Sequence, residues 1–151
     1  MTKKMTNGEL IKAYNGLFAV QKAEEAYRRR TGKHLLGGRI KLTYAVKKNM
    51  KTILDKLTPY NESREELIKE YRNQEAEAAW AKEQMEKKDG ATTETKEIYR
   101  EGKTKEEFET KQKELLEIEV ETDIHTVNME LLDGLDLDSE DLEAFWFMVE
   151  E

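Results

Sequence analysis

Apolar positions step through the middle of the chain in alternating threes and fours. Val46, Met50, Ile53, Leu57 and Tyr60 begin the series. Arg64, Leu67, Tyr71, Gln74, Ala78, Ala81 and Met85 continue it, and ten of the twelve positions are apolar. Such stepping is a coiled-coil-like seam, and it predicts one long helix over 39–88. At about 1.5 Å per residue that helix would extend about 75 Å, so its seam needs a covering partner. Pro59 falls inside it. Thr58 could cap a new helix with Pro59 at its first position, or the helix could continue with a kink. The phase holds from Leu57 through Tyr60 to Leu67, which favours the kink.

Shorter patterns flank this stretch. Thr6-Asn7-Gly8-Glu9 has the form of a capping box. Leu10, Tyr14, Leu17 and Phe18 then form a helical stripe, predicting a helix over 7–31 that stops at Gly32. Gly37-Gly38 separates it from the long helix. Residues 89–104 are polar apart from Ile98 and Tyr99 and read as a flexible connection. Thr104-Lys105-Glu106-Glu107 is a second capping box, and Phe108, Leu115 and Leu116 mark the face of a helix ending near Glu117. There the period changes to two. Ile118, Val120 and Thr122 alternate with Glu117, Glu119 and Glu121, which predicts a strand with an acidic outer face. Val127, Met129 and Leu131 alternate in the opposite phase, so a second strand is expected after a bend at His125. Asp133-Gly134 is a turn. Leu142, Phe145, Trp146 and Val149 predict a short terminal helix starting at Asp138-Ser139. The expected fold is mainly α, a single domain over 1–151. The long kinked helix packs against shorter helices as a hairpin or bundle, and an acidic α/β segment over 105–151 adds a two-stranded element and the terminal helix.

Charge sharpens this picture. The 151 residues carry a net charge of −7, with 39% charged and 37% hydrophobic residues. The distribution is strongly graded. Residues 1–51 hold 13 basic and 3 acidic side chains, whereas residues 106–151 hold 2 basic and 17 acidic. Either the two ends pack together and neutralise each other, or one of them meets a charged partner. With no cysteine, disulfides and thiolate chemistry are excluded. The polar start and the lack of a long apolar run predict a soluble protein without membrane contact.

Candidate chemistry is sparse. His34 and His125 have no nucleophile context, and the 33 acidic residues make any carboxylate pair uninformative. Asp136, Asp138 and Glu140 alternate like the start of a calcium loop, but Asp141 and Phe147 stand where that loop needs Gly and Glu. They read instead as a cap for the terminal helix. Glu140 after Asp138-Ser139 breaks the carrier-protein pattern, which needs leucine there, and Gly37-Gly38 lacks phosphate-loop spacing. No catalytic residue, cofactor or metal is therefore assigned. Arg28, Arg29 and Arg30, with Lys33, Arg39 and Lys41, form a basic cluster that matches no nucleic-acid recognition module, so direct nucleic-acid binding is not expected. Trp80 stands one place off the seam and is a candidate interface anchor. The acidic candidates for partner binding are Glu117, Glu119, Glu121, Asp123, Asp136 and Asp138.

Asn7-Gly8-Glu9-Leu10-Ile11, Tyr44-Ala45-Val46-Lys47-Lys48-Asn49, and Pro59-Tyr60 with Arg64-Glu65-Glu66-Leu67-Ile68 resemble a family of small bacteriophage proteins of unknown function. So does the ending, Leu116-Glu117-Ile118-Glu119-Val120-Glu121 with Asp136-Leu137-Asp138-Ser139 and Phe147-Met148-Val149-Glu150. The resemblance covers most of the chain apart from 73–104, and the stretch Ala76 to Thr95 departs from the family's pattern. It implies a phage or prophage gene acting in a bacterial cytoplasm, and it carries no activity or functional residues. Two functions are then expected to compete. One is a non-enzymatic inhibitor of a host protein, for instance a CRISPR effector, whose acidic surface imitates phosphates. The other is a virion or tail assembly factor that could dimerise through the seam.

Overall fold

The computed structural model describes residues 1–87 and 95–150. The protein is mainly helical with one small antiparallel sheet. In chain order the elements are β1 (Thr2–Thr6), α1 (Asn7–Thr31), α2 (Ile40–Lys56), α3 (Thr58–Tyr71), α4 (Gln74–Lys87), α5 (Lys105–Glu117), β2 (Glu119–Asp123) and α6 (Ser139–Glu143). Short 3-10 turns occupy Met129–Leu132 and Trp146–Met148. The chain forms two compact units. One holds Met1–Thr58 with Glu117–Glu151, and the other holds Pro59–Leu116.

The first unit is built on α1 and α2. Thr6 caps α1 as its sequence requires: the Glu9 amide donates to Thr6 Oγ1 at 3.1 Å, and the Glu9 carboxylate accepts from the Thr6 amide. Gly32 ends the helix with φ 73°, a left-handed value glycine reaches without steric cost. Leu10, Leu17 and Val20 of α1 and Leu42, Val46 and Ile53 of α2 are almost completely buried, as are Ile124, Phe145 and Met148 of the C-terminal segment. Each such side chain contributes about 1.5–3 kcal/mol on leaving water. Gly16 lets α6 approach closely: a Cβ there would stand 3.0 Å from Ala144 Cβ.

The two-stranded element differs from its expected form. β2 pairs with β1 at the other end of the chain, in the register Thr2 with Asp123, Lys4 with Glu121 and Thr6 with Glu119. The second strand expected over 127–131 does not form. Val127 makes a single parallel bridge to Val149, through Val127 N to Met148 O at 2.8 Å and Glu150 N to Val127 O at 2.9 Å. The chain then coils into the 3-10 turn, whose first free amide is taken by the Asn128 side chain. The terminal helix is likewise shorter than its pattern. α6 stops at Glu143 and the chain turns at Trp146–Met148, which lets Val149 reach Val127 and leaves Trp146 52% exposed.

The stretch expected as one long kinked helix is three helices. α2 ends at Lys56, Leu57 lies between with φ −83° and ψ −7°, and α3 begins at Thr58. Pro59 lacks the amide that would continue the hydrogen-bond ladder, and a first turn is where that loss costs nothing. The apolar phase survives because only Leu57 leaves the helix and it keeps helical dihedrals. A second break at Arg72-Asn73 follows from competition. Asn73 N donates to Ile98 O and Arg100 N to Tyr71 O, both at 2.8 Å, so strand-like pairing replaces the helix ladder there. Asn73 then caps α4, its side chain accepting from Ala76 N at 3.1 Å. Lys88, the last residue of the expected helix, lies outside the described residues.

The second unit has a small aromatic core. Leu67, Ile68 and Tyr71 of α3 and Phe108 of α5 are buried together, with Tyr99 and Leu115 against them. Tyr71 and Tyr99 lie 6.1 and 6.0 Å from Phe108 between ring centroids, tilted or edge-on as ring quadrupoles prefer. The Thr104 cap expected for α5 is present, accepting from Glu107 N at 3.2 Å. Of the expected flexible connection over 89–104, residues 89–94 lie outside the described residues. Residues 98–100 are fixed by the Arg72–Tyr99 bridge and by the bond from Arg100 Nε to Lys69 O at 2.9 Å. Glu77 completes the arrangement. It accepts from Arg72 Nε and Nη2 at 2.9 and 2.8 Å and from Ile98 N at 3.0 Å. The Arg72 hydrogen bond holds the Glu77 carboxyl below its usual range and raises the guanidinium in turn.

Candidate acidic interaction surface

The acidic row follows from strand geometry. Successive residues of β2 point to opposite faces, so Val120 and Thr122 turn inward and Glu119, Glu121 and Asp123 turn outward. Thr122 is completely buried and all three carboxylate residues are exposed. Across the pair, the same outer face carries Thr6, Lys4 and Thr2. Lys4 stands opposite Glu121, and the Met1 amino group lies 3.3 Å from Asp123. Glu119 faces Thr6 instead. Glu117, the last residue of α5, is exposed as well.

Two basic side chains bind the main chain of the acidic segment. Lys3 Nζ donates to Phe147 O at 2.6 Å. The Arg39 guanidinium donates to the carbonyls of Leu131 and Asp133. These bonds tie the basic and acidic parts together through the main chain, while the side-chain oxygens stay at the surface.

The bend that joins β2 to the C-terminal segment is fixed by a residue the sequence patterns did not single out. Asn49 of α2 is completely buried. Its Oδ1 accepts from His125 N at 2.7 Å, and its Nδ2 donates to His125 O at 2.9 Å. One side chain thus satisfies both backbone groups at the point where neither strand nor helix does. The available signal was a lone amide among Leu42, Ala45, Val46, Met50 and Ile53 on the buried face of α2. Tyr44 packs edge-on against the His125 ring at 5.5 Å.

The remaining candidates are dispersed. Asp136 and Asp138 lie on the loop into α6, and Asp138 is spent as that helix's cap, accepting from Asp141 N at 2.8 Å. Burial pushes the Asp141 carboxyl above its usual range, with the charges of Asp138 and Glu140 adding to it, so negative charge is dense there. Arg28, Arg29 and Arg30 project from the last turn of α1. Arg29 pairs with Glu25 at 2.8 Å and Arg30 lies over the Tyr27 ring. Trp80 belongs to the other unit. It sits half-covered on α4, a helix with no fully buried residue. The seam is covered within the chain from Val46 to Tyr71, apart from Arg64, which is half-buried. Beyond the Arg72-Asn73 break, Gln74, Ala78 and Met85 are exposed.

Among the described residues no group of three or more His, Cys, Asp or Glu is arranged to hold a metal ion. No described helix is long and apolar enough to cross a membrane. Comparison with protein-family models, curated proteins and solved structures finds no match.

Proposed function

We propose that this chain is a non-enzymatic interaction protein of a bacteriophage, acting in the host cytoplasm, and that it inhibits a host protein by occupying a basic groove. The target class is a nucleic-acid-handling defence effector, with a CRISPR nuclease as the leading example. The observation that carries the reading is the outward row Glu119, Glu121 and Asp123 on a folded strand. A row of carboxylates spaced by two strand residues, about 6.5–7 Å apart, offers fixed negative charge to a groove built for phosphates. Pairing with β1 gives the row a rigid backing, so little ordering entropy is spent on binding. The bonds of Lys3 and Arg39 to carbonyls support the same reading, because they fasten the acidic segment through its main chain and not through its carboxylates.

The phage setting rests on the resemblance of the N-terminal and C-terminal motifs to small phage proteins. The competing role as an assembly factor drew on an uncovered seam, and burial of Met50, Ile53, Leu67 and Tyr71 takes much of that support away. The test is recovery of the tagged chain from the bacterial host with whatever protein stays bound. The complex should dissociate as salt rises, and changing Glu119 and Glu121 together to Gln should prevent its recovery. A complex indifferent to both would refute the proposal.

A further inference from the structure

The opposite charge pole offers a second surface. Ile40 is 83% exposed and Tyr44 55% exposed, adjacent on one face of α2. They form a ridge between two open grooves. One groove, of about 650 Å³, runs between the C-terminal half of α1 and the N-terminal half of α2. The other, of about 780 Å³, lies on the far side of the ridge against His125, Val127 and Leu131. A single exposed apolar residue is ordinary; here two stand side by side above concave surfaces.

The first groove has the form of a helix seat. Its walls are Gln21, Glu24 and Arg28 on α1 and Ile40, Tyr44 and Lys47 on α2. Both sets recur at three or four residues, so each wall is one helix stripe. The stripes extend seven residues, about 10 Å, or two helical turns. The loop at His34 and Leu36 adds to the lining, and Leu36 is itself buried.

Its charge is mixed but weighted towards cations: Glu24 keeps its negative charge, because its partners are a histidine ring and a main-chain amide, whereas Glu25 is ion-paired. Glu24 receives His34 Nδ1 and Leu36 N, each at 2.9 Å. Glu25 pairs with Arg29 at 2.8 Å and with Lys22 at 3.9 Å. Arg28 and Lys47 enter no ion pair among the described residues. Lys41 and Lys48 flank the ridge, with Lys48 placed over the Tyr44 ring at 5.9 Å. Engagement of that ring by Lys48 and by His125 argues against its use as a platform for stacked bases. The largely exposed aliphatic Ile40 also suits a protein better than a nucleotide.

We propose that the groove between α1 and α2 docks a short amphipathic helix of another protein, with apolar anchors against Ile40 and Tyr44 and acidic flanks against Arg28 and Lys47. This is helix-in-groove recognition, with the acidic flanks selecting the partner. It is independent of the acidic row on β2.

The test pans a displayed library of random peptides of about 16 residues against the full chain. Selected sequences are expected to carry net negative charge and apolar residues at helical spacing. Their binding should weaken by about tenfold or more in Ile40→Glu, the loss expected of an interface anchor. Ile40 is too exposed for that change to disturb folding, and an unchanged circular dichroism spectrum would verify it. Charge reversal at Lys47→Glu should weaken the same clones. Clones that are basic, or indifferent to Ile40→Glu, would overturn the proposal, as would a failure to enrich any. Binding of a poly-dT oligonucleotide lost in Ile40→Glu would reassign the surface to nucleic acid. Self-association abolished by the same change would reassign it to a second copy.

Discussion

Replacing Asn49 by Leu tests the bend that carries the acidic segment. The change keeps the branched shape of the side chain and removes both bonds to His125, of 2.7 and 2.9 Å, leaving an amide and a carbonyl beside a fully buried position without partners. Each orphaned group costs about 1–3 kcal/mol, and the apolar side chain recovers about 1 kcal/mol by no longer burying an amide. The net loss is therefore about 1–5 kcal/mol, a large share of a domain's stability. Urea denaturation followed by circular dichroism reads it as a lower midpoint at unchanged slope. Asn49→Asp should be damaging in a different way, since Oδ1 still accepts from His125 N but the donor to His125 O is gone and a charge is buried. An unfolding free energy for Asn49→Leu within about 0.5 kcal/mol of the parent would show that the His125 backbone groups are satisfied without Asn49, because orphaning both costs more than that.

Further outcomes follow from other contacts. Gly16→Val forces a Cβ to 3.0 Å from Ala144 Cβ and should destabilise by about 1–3 kcal/mol, and a paired Ala144→Gly change should restore part of the loss in a double-mutant cycle. Glu77 has a lowered pKa in the folded state, so its contribution is present above the ordinary carboxylate pKa of 4.5 and is lost as pH falls through the folded value. Glu77→Gln should therefore lower thermal stability near neutral pH by about 1–3 kcal/mol and flatten the acid limb of the stability curve, measured as melting temperature against pH. An acid limb as steep in Glu77→Gln as in the parent would show that other carboxylates govern it. Asp141 works against that limb, since its raised pKa means that protonation favours the fold as pH falls.

Helix ends and strand faces were the parts legible in the sequence. Thr6, Gly32 and Thr104 act through local bonds, so a few residues suffice to place them. The acidic face of β2 was legible because period two survives in any pairing. Its partner was not, since β1 has only Met5 as a buried apolar residue and is paid for by contact with a strand more than a hundred residues away. The three-way division of the central stretch was hidden by its continuous phase. Pro59 and Asn73 are individually weak signals, and the strand-like pairing at Arg72 needs Tyr99, whose sequence gives no hint of it. The Asn49 clamp is long-range too, joining residues 76 apart. Side chains that settle long-range backbone geometry leave little periodic trace.

The proposed function requires fixed carboxylates on β2 to engage a basic partner. The most direct measurement is the affinity of the host protein recovered with this chain, taken across a salt series for the parent and for the combined change of Glu119 and Glu121 to Gln. Binding is expected to weaken steeply with salt in the parent, and to fall by about tenfold or more in the variant with a shallower salt slope. Affinity unchanged by the substitution, or insensitive to salt in the parent, would contradict it.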